Sequence, residues 1–172
     1  MQQFGEDRCV PELHLAGEVL ASGGTVKLRA FGNSMLPSLW PGDVVTIEGA
    51  CRGLAAPGDI VLVLQNQRPF IHRVARVLDC NGRRQWTTRG DAMPQSDPPV
   101  AEPELLGRVS AIERNRRVIV PSRHLSATVR LLAWMFCHWD RFRSICLRMH
   151  SFRQALDQQT SGEIFECPTS TS

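Results

Sequence analysis

No Cys-x-x-Cys pair occurs among the six cysteines, at 9, 51, 80, 137, 146 and 167, and no Cys/His cluster has zinc-like spacing. A structural metal is therefore not expected, nor is any cofactor. Cysteines scattered in this way are expected to be reduced, partly buried side chains of a protein in a reducing compartment. The first thirty residues lack a basic start followed by an apolar run, so no signal peptide is read. Long apolar runs are missing too. A membrane-spanning helix needs about twenty predominantly apolar residues, whereas the best stretch, 131–137, is flanked by Arg130 and His138. The expected location is cytoplasmic or peripheral to a membrane. Lysine is almost absent, Lys27 being the only one.

Acidic residues are scarce in one part of the chain. Residues 1–107 carry ten Lys/Arg against twelve Asp/Glu, residues 108–156 carry ten against two, and residues 157–172 carry none against three. The basic block suits anionic lipid, nucleic acid or an acidic partner, and equally a solvated helix face. No helix-turn-helix, zinc-finger or aromatic stacking motif accompanies it, so no nucleic-acid partner is expected. A composition of 42% hydrophobic and 22% charged residues excludes wholesale disorder and a polytopic membrane chain. At 172 residues the chain can bury one core with an appendage.

Residues 1–24 read as a lead-in helix, with Leu13, Val19 and Leu20 at helical spacing before the breaker Gly23-Gly24. From 25 to 120 the texture changes to short Val/Ile-rich runs cut by Pro, Gly, Asn and Asp. This predicts a mainly β, antiparallel unit. Pro41-Gly42-Asp43-Val44-Val45 and Pro57-Gly58-Asp59-Ile60-Val61 repeat one device, a type II turn launching a strand. Further strands are predicted at 70–78, 84–88, 105–113 and 116–120. Residues 90–104 form a loop long enough to suggest a role of its own. Residues 121–156 read as a basic amphipathic helical segment whose stripe is Leu125, Val129, Leu132, Phe136 and Trp139. That stripe can dock on the β core. Alternatively, 124–153 can lie on an anionic membrane, with Trp134 and Trp139 at headgroup depth and Arg130, Arg141, Arg143, Arg148 and Arg153 around them. Residues 157–172 read as a flexible tail.

Three segments hold residues suited to hydrolysis. In Phe31-Gly32-Asn33-Ser34-Met35-Leu36-Pro37, a tight turn exposes Ser34 and can offer backbone N–H groups to an oxyanion, with Gly32, Asn33 and Met35 shaping the loop. By itself, a serine in a Gly/Asn turn is far more often an ordinary loop residue. His72 sits in the strand 69–77, where alternation puts it on one face with Phe70 and Val74. It can be a hydrogen-bonded core histidine or a general base. In Arg89-Gly90-Asp91-Ala92-Met93-Pro94-Gln95-Ser96-Asp97-Pro98, flanking prolines restrict the backbone around Asp97. Its carboxylate could fix the histidine tautomer. Asp91, directly after Gly90, suits a turn-forming role.

Taken in order, these segments resemble the signal peptidase I-like serine peptidases, most closely their archaeal and endoplasmic-reticulum branch. The matching boxes are Gly32-Asn33-Ser34-Met35-Leu36-Pro37, the strand-launching Gly42-Asp43 and Gly58-Asp59, His72-Arg73-Val74, and Gly90-Asp91 followed by Asp97. They span about residues 31–112. The resemblance implies a signal-peptidase/LexA-like β core and a serine endopeptidase that cuts precursor or signal peptides after small residues. In it Ser34 is nucleophile, His72 base and Asp97 orienting acid, while Asp91 shapes the loop. The bacterial branch and the LexA-type self-cleaving repressors use a lysine base, but Lys27 precedes the serine, so only the histidine version can be carried over. In the bacterial branch the position two before the nucleophile often carries a hydroxyl. Here it is Gly32, which leaves the oxyanion to backbone N–H groups. No membrane anchor is read, so a cytoplasmic processing or self-cleaving relative and a catalytically silent β binding module stand as alternatives. The partner expected is a peptide or protein precursor.

Overall fold

The computed structural model describes residues 10–49, 52–80, 83–139 and 144–149. The chain divides into two compact units, Met1–Cys137 and His138–Ser172. Arg141, Arg143, Arg153, the 157–172 tail, Cys9, Cys51 and Cys167 lie outside the described residues. In the second unit, residues 144–149 are helical.

In the first unit the β-branched runs form strands because turn-forming residues cut each one short. They are β1 (Thr25–Arg29), β2 (Val44–Glu48), β3 (Ile60–Gln65), β4 (Arg68–Cys80), β5 (Arg83–Arg89), β6 (Val100–Ala101), β7 (Leu105–Arg114) and β8 (Arg117–Ile119). Among the described residues these eight make one sheet in the order β1-β2-β7-β3-β4-β5-β6, with β8 added to β7, and every pairing is antiparallel. Helix α1 (Val10–Ala21) precedes the sheet and α2 (Ala127–His138) follows it. The fold is mainly β.

The turns follow from local chemistry. Gly42 and Gly58 take φ of 95° and 93°, the left-handed position that a type II turn reserves for glycine. Each following aspartate folds its carboxylate back onto the backbone, Asp43 accepting from Trp40 N–H at 2.8 Å and Asp59 from Ala56 N–H at 3.0 Å. An arginine then closes each turn. Arg114 donates to both Asp43 oxygens, and Arg123 does the same to Asp59. The hydrogen bond and the charge of Asp59 raise the pKa of Arg123 above its ordinary value. Two-residue hairpins at Asn66-Gln67 and Asn115-Arg116 have φ between 49° and 61° throughout, the type I′ geometry that matches strand twist.

β3 is the middle strand of the sheet, buried on both faces. Ile60 and Leu62 join a core with Leu20, Met35, Leu39, Val45, Ile47, Leu106, Val109 and Ile112. Val61 and Val63 point the other way, into a second core with Val74, Trp86, Val100 and Leu105. Among the described side chains of α1, Ala16 and Leu20 are buried one turn apart, whereas Val19, part of the helical pattern read from the sequence, is 36% exposed. α2 docks through Ala133 and Phe136, the latter edge-on to Trp40 with ring centroids 6.0 Å apart. Leu132, placed on the stripe by its spacing, is 39% exposed. Leu131 and Trp134 stand further out, because this helix is apolar on more than one face. Residues 90–104 are not all loop: they contain β6 and a 3₁₀ turn, Glu102–Glu104. Among the described residues no helix is long and apolar enough to cross a membrane.

Candidate active site

Ser34 lies in the loop between β1 and β2. The β1–β2 ladder continues past both strand ends through Ala30 N–H to Asp43 C=O, 2.7 Å, and Gly42 N–H to Ala30 C=O, 2.9 Å, so residues 31–41 leave the sheet as a closed excursion. Met35 and Leu39 anchor it in the first core. This leaves Ser34 only half-buried between two fixed points, with Gly32 exposed at φ 83°.

His72 projects from β4 on the face of Phe70 and Val74, opposite Val61 of β3 in the ladder. Its ring lies 5.0 Å from that of Phe70 and the residue is 8% exposed. Asp97 comes from the segment after β5, which returns to that strand through Asp97 N–H to Thr88 C=O at 2.8 Å. The three functional groups form one chain. Ser34 Oγ is 3.0 Å from His72 Nε2, and His72 Nδ1 is 2.6 Å from Asp97 Oδ2. An ionised carboxylate only accepts, so Nδ1 carries the proton and donates to Asp97, leaving Nε2 to accept from Ser34 O–H. Both distances are within the reach required of a general base.

Asp91 and Arg73 hold the two loops together. Arg73, next to His72 in β4, donates to Asp91 through Nε to Oδ1 at 2.8 Å and through Nη2 to Oδ2 at 2.9 Å. Its remaining N–H groups reach Ser38 Oγ and the carbonyls of Gly58 and Ser122. Ser38 Oγ in turn donates to Asp91 Oδ2, and Ala92 N–H donates to Ser34 C=O at 2.9 Å. Gly90 permits this approach: a Cβ there would fall 2.6 Å from Ser34 O and 3.1 Å from Ser34 Cβ. The carboxylate of Asp91 is 3% exposed. Replacing Arg73 with leucine would leave that charge buried without its partner. We expect a loss of about 3–5 kcal/mol of stability, read as a lowered denaturant midpoint.

The structure thus brings Ser34, His72 and Asp97 together in one hydrogen-bonded chain and keeps Asp91 out of it as a structural anchor. Asn33 contributes a turn, its carbonyl accepting from Leu36 N–H at 3.4 Å. The side chain of Met35 is core, so only its backbone N–H faces the loop's chemistry. Among the described residues, neither Ser34 N–H nor Met35 N–H has a hydrogen-bond acceptor. Thr88 and Arg73 are site residues that motif reasoning passed over. Thr88 had a readable signal, since alternation from Trp86 puts its hydroxyl on a buried strand face, where it needs a partner. Among the described residues no three His, Cys, Asp or Glu side chains group closely enough to hold a metal ion. No protein-family model, curated protein or solved structure matches the chain.

Proposed function

We propose that this protein is a serine endopeptidase of the signal-peptidase type, cutting peptide or precursor substrates after small residues. The observation that carries the reading is the Ser34–His72–Asp97 chain, with hydrogen bonds of 3.0 Å and 2.6 Å. Ser34 Oγ attacks the scissile carbonyl carbon while its proton passes to His72 Nε2. Asp97 stabilises the imidazolium that forms. The new oxyanion is received by Ser34 N–H, with Met35 N–H as the neighbouring donor. As the tetrahedral centre collapses, the C–N bond breaks and Nε2 returns the proton to the leaving amine. Water then attacks the acyl carbon as the same nitrogen takes its proton, and the bond to Ser34 Oγ breaks as Oγ takes that proton back, freeing the carboxylic acid product. The preference for small residues comes from the family resemblance alone. A degenerate peptide library incubated with the protein and read by mass spectrometry tests the reading. New termini should cluster after alanine, glycine or serine, and a library left intact would remove it.

A further inference from the structure

Thr88 occupies a fully buried, inward position of β5, two residues beyond Trp86. At such a place valine fits the strand equally well, and a hydroxyl is costly to bury unless it is hydrogen-bonded. Here it is bonded, and to one particular atom. Thr88 Oγ1 donates to Asp97 Oδ2 at 2.7 Å, the same oxygen that His72 Nδ1 meets at 2.6 Å. The backbone repeats the grip in reverse, with Asp97 N–H donating to Thr88 C=O at 2.8 Å. Asp97 stands in a segment with little regular structure, on side chains that are mostly exposed from Met93 to Pro99. Nothing in such a segment by itself stops the carboxylate from rotating away from the base.

We propose that Thr88 is a positioning residue for the Ser34–His72–Asp97 chain, its hydroxyl locking the Asp97 carboxylate in the rotamer that faces His72. The inference rests on the peptidase reading above. When His72 takes the proton from Ser34, the imidazolium is stabilised only if Oδ2 is already in line with Nδ1. A carboxylate that must first rotate pays that reorganisation in the transition state. The loss of the hydroxyl therefore falls on turnover and leaves substrate binding untouched.

The test uses two pairs of variants that differ at the hydroxyl. Thr88→Val keeps the shape of the wild type, and Thr88→Ala against Thr88→Ser compares two smaller side chains in case the valine variant does not fold. With a peptide identified from the library, we expect kcat to fall roughly tenfold in Thr88→Val with KM unchanged. Thr88→Ser should exceed Thr88→Ala by a similar factor. Wild-type kcat in Thr88→Val overturns the inference, as does equal turnover in Thr88→Ser and Thr88→Ala. A fall seen only as a raised KM also overturns it. Ser34→Ala run alongside separates the two levels: if it cleaves like the wild type, the peptidase reading itself fails, whatever the Thr88 variants do.

Discussion

Alanine in place of Ser34 is expected to abolish peptide cleavage, lowering kcat by about 10⁴–10⁶, and alanine in place of His72 should do the same. The double variant should be no worse than either single one. Nucleophile and base act on one proton, so removing either removes the same step. Stability measurements distinguish this outcome from simple damage to the fold. Ser34 is a half-buried loop residue whose hydroxyl bonds only to His72 among the described residues, so its loss should change unfolding free energy by no more than about 0.5 kcal/mol. His72 is 8% exposed beside Phe70, and its removal also opens a cavity. A modest drop in stability should therefore accompany His72→Ala. Turnover retained in Ser34→Ala would end the mechanism. Loss of cleavage in His72→Ala alone would indicate a histidine that only supports the fold.

Much of the architecture was readable because its causes are local. The two Pro-Gly-Asp turns and the Val/Ile runs after them give β2 and β3 directly, and a mainly β fold follows from repeating that texture. The insertion of β7 between β2 and β3 was not readable, since pairing Ile47 with Val109 and Leu62 with Gly107 is a contact over long sequence separation. β6 was hidden because two residues among prolines carry no periodicity. For α2, the spacing gave a helix with Phe136 on its inner face, but Leu132 on the same stripe is exposed and its neighbour Ala133 is buried, and Leu131 and Trp134 stand exposed as well.

The site divides along the same line. Ser34, His72 and Asp97 each have a commoner explanation, and only their order among the boxes joined them. Those boxes are short and separated by long stretches, so what they encode is a spacing of chemical groups. The clamp around Asp91 escaped for a different reason. Arg73 lies in the same box as His72, but its guanidinium meets Ser38, Gly58 and Ser122, residues from three separate connecting segments. Its role depends on tertiary closure, which motif spacing does not encode.

Asn in place of Asp97 should lower kcat by about 10³–10⁴, less than loss of the nucleophile and with a nearly unchanged fold. The size depends on which carboxamide atom takes the position of Oδ2. That oxygen accepts from His72 Nδ1 at 2.6 Å and from Thr88 Oγ1 at 2.7 Å. If the carboxamide oxygen sits there, both donors stay satisfied and the tautomer is kept. The imidazolium then loses only the negative charge that stabilises it. If the NH₂ sits there, His72 must accept on Nδ1 and carry its proton on Nε2, where it cannot receive the proton of Ser34. Two donors converging on one atom favour the first arrangement, which is why the expected loss extends below the upper value. Adding Thr88→Val removes one of those donors and frees the carboxamide to flip, so the combined variant should be slower than Asp97→Asn alone. Wild-type turnover in Asp97→Asn would show that Asp97 does not orient the base, and a dyad of Ser34 and His72 would then have to account for the chemistry.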